Sequence, residues 1–323
     1  MLRGIVACLV ATAVVPGVGA APAPPQQPAE GPGGADYKHA GVTESSYGSG
    51  GSRYWLFEPS GPAPETAPLI VFNHGWMGID PRFYQAWIEH LVKRGNIVVF
   101  PQYQRGALTL PQAFTPLATA ATKDAIRRLQ GGGHVRPDLE KFAIVGHSAG
   151  GAITANMAAR AALDGLPTPK AIMPVEPGTG AERGRGWTVP LEDFGKIPQG
   201  CLLLVVVGAD DKLAGDVSAK HIFRGATQVP AEDKDFVVVN TDRHGRPRLV
   251  ADHFAPCGGP ETKRTRVDAL DYYAFWKLFD ALTDAAFYGE NREVALGNTP
   301  EQRYMGVWSD GQPVVELTVT DDP

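Results

Sequence analysis

A serine between two glycines is the first feature of the chain that could carry chemistry. The residues Gly146, His147, Ser148, Ala149 and Gly150 form a G-x-S-x-G pattern. Glycine suits a backbone that must turn where a Cβ would clash, so the pattern predicts a sharp turn with the hydroxyl at its tip. A serine hydroxyl becomes a nucleophile when a histidine takes its proton and a carboxylate orients that histidine. The chain must therefore supply a base and an acid.

Three carboxylates are candidates for the acid. Asp210 and Asp211 lie in GADDKL, directly after a strongly apolar strand, and Glu176 follows the preceding strand in MPVEPG. On a parallel sheet the partners of such a serine lie at the carboxyl ends of later strands, in the order serine, acid, histidine. The spacing favours Asp211, with Glu176 as its rival and Asp210 as a turn cap.

Three histidines follow the acid candidates. His253 lies in VADHFAPC, in the loop that leads to the last aromatic-rich helix, and it is favoured as the base. His244 lies in the polar turn TDRHGRP, and His221 falls within a predicted helix, where a packing or surface role is the ordinary interpretation.

The intermediate of acyl transfer needs two backbone N–H groups aimed at one oxygen. Ala149, directly after the serine, and Trp76, in FNHGWMG after an early strand, are the expected donors. Loops at the carboxyl ends of strands form the site in this architecture. We therefore expect Trp76, Glu176 and Trp187 to contact substrate.

The elements that must position these residues alternate between strands and helices. Apolar runs predict strands over residues 52–59, 68–74, 96–101, 142–145, 171–175, 201–207 and 235–240. Helical spacing predicts helices over residues 81–94, 115–130, 152–162, 214–223 and 266–282. Unbroken apolar strands alternating with helices indicate a mostly parallel α/β sheet with helices on both faces.

The N-terminus has the pattern of a secretory signal. Residues 1–20 combine Arg3, an apolar run over residues 5–15 and small residues at the end, which predicts a signal peptide cleaved after Ala20. The apolar run is too short to span a membrane. We expect a secreted or periplasmic protein with no transmembrane segment.

The remaining chain divides into three expected parts. The Pro/Gly/Ala-rich residues 21–40 have no means of packing a core and are expected to be a disordered linker. Residues 41–290 are expected to form the catalytic domain, and residues 291–323 a tail with a small hairpin.

Bulk composition bears on partners and cofactors. A formal net charge of −5 over 323 residues gives no electrostatic case for nucleic-acid binding. The eight histidines form no H-x-x-x-H or Cys/His cluster, so we expect no metal site. The expected chemistry implies no cofactor. We also expect a monomer. Export favours a disulfide between Cys201 and Cys257, but Cys201 begins a strand far from the acid loop, so the pairing stays open.

Together these stretches resemble the α/β-hydrolase superfamily over residues 54–288. Within it they are similar to the branch of dienelactone hydrolases, chlorophyllases and cutinase-like polyesterases, through FNHGWMG, GHSAGG, GADDKL and DHFAP. The resemblance implies an α/β-hydrolase fold, and it supports Asp211 and His253, because polyesterases of this type carry their acid and base in the corresponding stretches. The chain departs at Glu176, where the polyesterases have tryptophan and near which chlorophyllases place their acid.

The function expected from these features is that of an exported serine esterase working through an acyl-enzyme, on small esters or polyesters. Amide or peptide hydrolysis and acyl transfer with the same residues are the alternatives, followed by a non-catalytic binding protein.

Overall fold

Nine strands form one central sheet. The computed structural model describes residues 21–181, 187–259 and 265–323, and the predicted signal peptide lies outside them. The strands are β1 (Gly41–Tyr47), β2 (Tyr54–Ser60), β3 (Thr66–Asn73), β4 (Ile97–Pro101), β5 (Arg136–His147), β6 (Ala171–Val175), β7 (Leu202–Gly208), β8 (Lys234–Val239) and β9 (Thr318–Thr320).

The sheet is mostly parallel, as predicted. The spatial order is β1-β2-β4-β3-β5-β6-β7-β8-β9, and the six strands from β4 to β8 in this order pair in parallel. β1, β2 and β9 pair antiparallel at the two edges. The carboxyl ends of the parallel strands therefore meet at one edge of the sheet, where the predicted functional residues lie.

Helices cover both faces of the sheet. Two clusters of buried apolar side chains lie on opposite faces of the sheet. The helical residues of one cluster include Ala118, Ala152 and Ala219, and those of the other include Trp87 and Phe279. The main helices are α1 (Gln85–Lys93), α2 (Phe114–Gln130), α3 (Ala149–Asp164), α4 (Val217–Gly225) and α5 (Lys277–Tyr288), followed by the short helices α6 (Arg292–Ala295) and α7 (Pro300–Arg303). In the described part of the chain no helix is both long and apolar enough to cross a membrane.

The last long helical segment begins later than residue 266. Asp268 Oδ1 accepts the N–H of Leu270 at 2.9 Å, and Asp271 Oδ2 accepts the N–H of Asp268 at 2.8 Å. These two bonds resemble a capping box, with the first side chain accepting from the second rather than the third residue after it, and they mark the start of the helical segment. A π-helical stretch, Asp271–Trp276, then leads into α5.

Residues 21–40 pack against the body of the protein, which corrects the expectation of a disordered linker. Asp280 in α5 accepts the N–H of Gly33 at 2.8 Å, lies 2.8 Å from His90 Nε2 and forms a buried ion pair with Arg94 at 3.2 Å. Arg94 also donates to Gly31 O at 3.0 Å. The composition of this segment gives no sign of these contacts. The segment is held by hydrogen bonds between its backbone and buried charged side chains from other parts of the chain.

The C-terminal residues complete the sheet and its edge. β9 pairs with β8, and Trp308 is buried with its Nε1 donating to Asp242 at 3.0 Å. An antiparallel bridge joins Val307 and Pro313 where the small hairpin is predicted. The tail is therefore part of the folded body as well as the carrier of a short hairpin.

Cys201 and Cys257 are buried free thiols. Cys201 directly precedes β7, at the amino end of the sheet. Cys257 Sγ lies 3.9 Å from Nδ1 of His147, at the carboxyl end of β5. The two residues lie at opposite ends of the parallel strands, too far apart for a disulfide.

Candidate active site

Ser148 lies at the tip of a strained turn between β5 and α3. Its backbone has φ 57° and ψ −122°, a conformation that non-glycine residues rarely adopt. Both glycines of the pattern are sterically required. A Cβ at Gly146 would overlap the carbonyl of Gly150, and a Cβ at Gly150 would overlap Asn73 O in β3. The turn brings α3 directly against the end of β3.

Three of the predicted side chains form one hydrogen-bonded series. Nε2 of His253 lies 2.9 Å from Ser148 Oγ, and its Nδ1 lies 2.8 Å from Asp211 Oδ2. The serine follows β5, the aspartate follows β7 and the histidine lies on the loop after β8. With Nδ1 donating to the carboxylate, Nε2 is left to accept the serine proton, as proton transfer from a serine nucleophile requires.

The Asp211 carboxylate is fixed on both of its oxygens. Oδ1 accepts the backbone N–H groups of Leu213 at 2.7 Å and Ala214 at 3.0 Å, and Oδ2 faces His253. Burial raises the pKa of Asp211, but the bonds from His253 and the two N–H groups lower it more, so the pKa lies below its usual value. The side chain is therefore an oriented carboxylate.

The rival aspartate and histidines lie elsewhere. Asp210 pairs with Arg243 at 2.7 Å on the surface, and His244 pairs with Asp310 at 2.8 Å. His221 is exposed on α4. None of these three side chains contacts Ser148 among the interactions of the described residues.

The two expected oxyanion donors flank the serine. Ala149 is the first residue of α3, where a backbone N–H has no acceptor within its own helix. On the other side, a Cβ at Gly75 would lie 3.2 Å from Ser148 Cβ, so the loop that continues into Trp76 passes beside the nucleophile. The Trp76 ring packs edge-on against Phe114, with centroids 5.1 Å apart.

Trp187, the other tryptophan expected to contact substrate, is 50% exposed on the loop after β6. An exposed aromatic ring on a loop at the carboxyl end of the sheet is available to a ligand, so its contact with substrate stays a prediction.

Backbone strain is concentrated at the carboxyl ends of four adjacent strands. Non-glycine residues with positive φ follow β4, β3, β5 and β6 in turn, namely Tyr103 (33°), Met77 (64°), Ser148 (57°) and Glu176 (46°). Such strain persists where the surrounding structure enforces it, and it clusters at functional sites. This pattern marks the same edge of the sheet as the serine.

Glu176 is fully buried, which corrects the expectation that it contacts substrate. Its Oε2 lies 3.2 Å from His147 Nε2 and 3.6 Å from His253 Nδ1. Burial raises the pKa of Glu176 well above its usual value, and the nearby Asp211 charge raises it further. The raised pKa favours the protonated carboxyl, which lies beneath the site, behind His253.

His147 and Tyr84 connect the loop that carries His253, the turn that carries Ser148 and the loop that begins at Gly75. Neither residue was identified from the sequence. His147 Nε2 lies 2.8 Å from the carbonyl of His253, and its Nδ1 lies 2.9 Å from Tyr84 Oη, which accepts the N–H of Gly75 at 2.9 Å. Burial lowers the pKa of His147 to about 4, so the ring is neutral. It therefore donates to His253 and accepts from Tyr84. The position of His147 inside the G-x-S-x-G pattern was the sequence signal that could have identified it.

Comparison with known proteins agrees with this geometry. A family profile described as alpha/beta hydrolase fold matches residues 70–198. The chain has the α/β-hydrolase fold. The match supports a hydrolase and includes Ser148, but it ends before Asp211 and His253. A search of curated proteins found no significant match.

In this α/β-hydrolase fold, one set of side chains within the described ranges has the spacing of metal ligands. Single atoms of His147, Glu176 and His253 lie within 4.8 Å of one another. The sequence contains no such cluster, since the fold brings these residues together from β5, β6 and the loop after β8. Each nitrogen in the set already has a hydrogen-bond partner, so a hydrogen-bonded network accounts for the cluster.

Proposed function

We propose that the protein is a serine hydrolase that cleaves carboxylic esters through an acyl-enzyme. The observation that supports this most directly is the series Asp211–His253–Ser148, with distances of 2.8 and 2.9 Å, on a strained turn of an α/β-hydrolase fold. A chance cluster would not need to hold its serine in a rare backbone conformation.

In the proposed reaction Ser148 Oγ attacks the ester carbonyl while Nε2 of His253 takes its proton. The N–H groups of Ala149 and Trp76 stabilise the oxyanion of the tetrahedral intermediate. His253 then returns the proton to the departing alcohol, which leaves an acyl group on Ser148. Water enters with the same histidine as base and releases the acid. Asp211 keeps the proton on Nδ1 throughout and stabilises the imidazolium.

We further propose that the enzyme is an exported monomer that prefers short acyl groups. Residues 1–20 support export through their basic, apolar and small-residue order. In the described part of the connection between β6 and β7, the 3-10 turn Phe194–Lys196 is too short to act as an apolar lid. The resemblance of DHFAP to polyesterases makes polyesters candidate substrates.

The test compares Ser148→Ala and His253→Ala with the matched control His244→Ala. Labelling by a fluorophosphonate and hydrolysis of p-nitrophenyl butyrate are measured for each. We expect Ser148→Ala to abolish labelling, both site variants to lose about 10³-fold or more in kcat, and the control to match the wild type. Retained hydrolysis in Ser148→Ala would refute the proposal.

The substrate class is tested with the wild type. p-Nitrophenyl acetate, butyrate and palmitate are run beside a polyester film and a peptide anilide. We expect acetate or butyrate to react fastest. Faster cleavage of the anilide would identify an amide hydrolase, and a preference for palmitate with activation at an interface would identify a lipase.

A further inference from the structure

Glu176 combines a strained backbone with a buried side chain whose hydrogen bonding is incomplete. The residue has φ 46°, in the left-handed region, and its side chain is fully buried. Its Oε1 has no hydrogen-bond partner among the described residues. A strained backbone and an unpaired buried oxygen both cost stability. An apolar residue at this position would avoid the second cost, so retention of a carboxyl suggests a function for it.

The neighbouring strand leaves room for this carboxyl. Gly208 ends β7, and a Cβ there would lie 2.5 Å from both the backbone carbonyl of Ala251 and Glu176 Oε1. Any larger residue at position 208 would displace the oxygen. The lack of a side chain at the end of β7 therefore leaves the space that the Glu176 carboxyl occupies beneath the catalytic residues.

The other carboxyl oxygen points to the same nitrogen that Asp211 binds. His253 Nδ1 lies 2.8 Å from Asp211 Oδ2 and 3.6 Å from Glu176 Oε2. The two carboxyl groups come from different strand ends, β7 and β6. A shift of about 0.8 Å, the difference between these two distances, would give Glu176 the hydrogen bond that Asp211 makes.

We propose that Glu176 is a second positioning residue for His253, which braces the Nδ1 side of the imidazole and replaces Asp211 as its acceptor when Asp211 is removed. This inference rests on the proposed roles of Ser148, His253 and Asp211. In the intact site Asp211 carries the charge, and Glu176 stays protonated, so the imidazole faces one carboxylate rather than two.

The protonation of Glu176 depends on the groups around it. The titratable groups that face it from the neighbouring elements are His147, Asp211, Asp252, His253 and Cys257. Burial raises the pKa of Glu176 most, the neighbouring His253 lowers it, and the charges of Asp211 and Asp252 raise it further. Replacing Asp211 with a neutral residue removes one of these charges. Glu176 then ionises at a lower pH and offers a carboxylate to Nδ1.

The experiment is a double-variant cycle on the full chain with Glu176→Gln and Asp211→Ser. Glutamine keeps the shape of Glu176 but cannot ionise. Serine cannot reach His253, but its hydroxyl can still accept the N–H groups of Leu213 and Ala214. The readout is the second-order rate of fluorophosphonate labelling between pH 6 and pH 9, and thermal melting checks that each variant is folded.

We expect Glu176→Gln to slow the wild type by less than about tenfold, and its loss in the Asp211→Ser background to be at least about ten times larger. Labelling of Asp211→Ser should also rise with pH as Glu176 ionises, and the double variant should lack that additional rise. A purely structural role would give the same fold-loss in both backgrounds at every pH, and that result would overturn the inference. A wild type that labels no better than Ser148→Ala would instead overturn the proposed function, and this inference with it.

Discussion

Asp211→Asn should be more damaging than the loss of one charge suggests, because the structure fixes the orientation of the new amide. The N–H groups of Leu213 and Ala214 both point at Oδ1, so the amide oxygen must stay there. The amide nitrogen then takes the place of Oδ2, 2.8 Å from His253 Nδ1. Two N–H donors cannot face each other, so the imidazole must carry its proton on Nε2. In that tautomer it cannot accept the proton of Ser148.

The expected loss in kcat is about 10²–10⁴, since the same substitution in a serine-protease triad costs about 10⁴ by imposing the wrong tautomer. At about 1.36 kcal/mol per factor of ten, this corresponds to about 2.7–5.4 kcal/mol of transition-state stabilisation. Asp211→Ser should lose less, because serine does not hold an amide donor against Nδ1 and leaves Glu176 able to act.

The assay is kcat and KM on p-nitrophenyl butyrate, with Asp210→Asn as the matched control. The control removes the same formal charge one residue away, where the carboxylate pairs with Arg243 on the surface, so it should stay within about twofold of the wild type. An Asp211→Asn variant within tenfold of the wild type would refute the tautomer argument. If Glu176→Gln were the nearly inactive variant instead, Glu176 would be the principal acid.

Three further predictions concern stability and the turn. Because the folded-state pKa of Glu176 is raised, wild-type stability should fall as pH rises above the unfolded pKa of about 4.3. The gain in melting temperature of Glu176→Gln over the wild type should therefore grow from pH 5 to pH 8. A difference in melting temperature that does not change with pH would contradict this. Gly150→Ala should abolish activity or folding because its Cβ overlaps Asn73 O, whereas Gly106→Ala, with nothing within 4 Å, should match the wild type in both assays. Asp280→Asn should cost about 3–5 kcal/mol in urea unfolding at pH 7. Burial raises the pKa of Asp280, but His90 and Arg94 lower it overall, so the difference should shrink as pH falls below about 4. A difference that stays constant with pH would be evidence against the ion pair with Arg94.

The features that local sequence determined are those with a local physical cause. Unbroken apolar runs predicted β6 over its observed bounds and β4, β7 and β8 to within a residue at each end. The glycines at 146 and 150 predicted a tight turn, and the structure shows that a Cβ at either position would overlap backbone. Periodicity and steric demands of this kind operate over a few residues, so they can be read without knowing what packs nearby.

The edges and ends of the fold could not be read in this way. β1 and β9 are antiparallel edge strands with little apolar signal. Residues 21–40 look unstructured by composition because their anchor, Asp280, lies more than two hundred residues away along the chain. Contacts of this range leave no trace in the composition of the segment they hold.

The candidate site also has features that the sequence determined and features that only the tertiary structure decided. The sequence determined that a serine at a strand end, three acid candidates and a histidine would lie at the carboxyl edge of a parallel sheet, because the order of strands and motifs fixes that edge. Only the tertiary structure decided that Asp211 lies at 2.8 Å and Glu176 at 3.6 Å from the same nitrogen. It also decided that the pKa of Asp211 is lowered, which favours the carboxylate, and that the pKa of Glu176 is raised, which favours the neutral acid. Burial and neighbouring charges set those states, and both depend on residues that come together only when the chain folds.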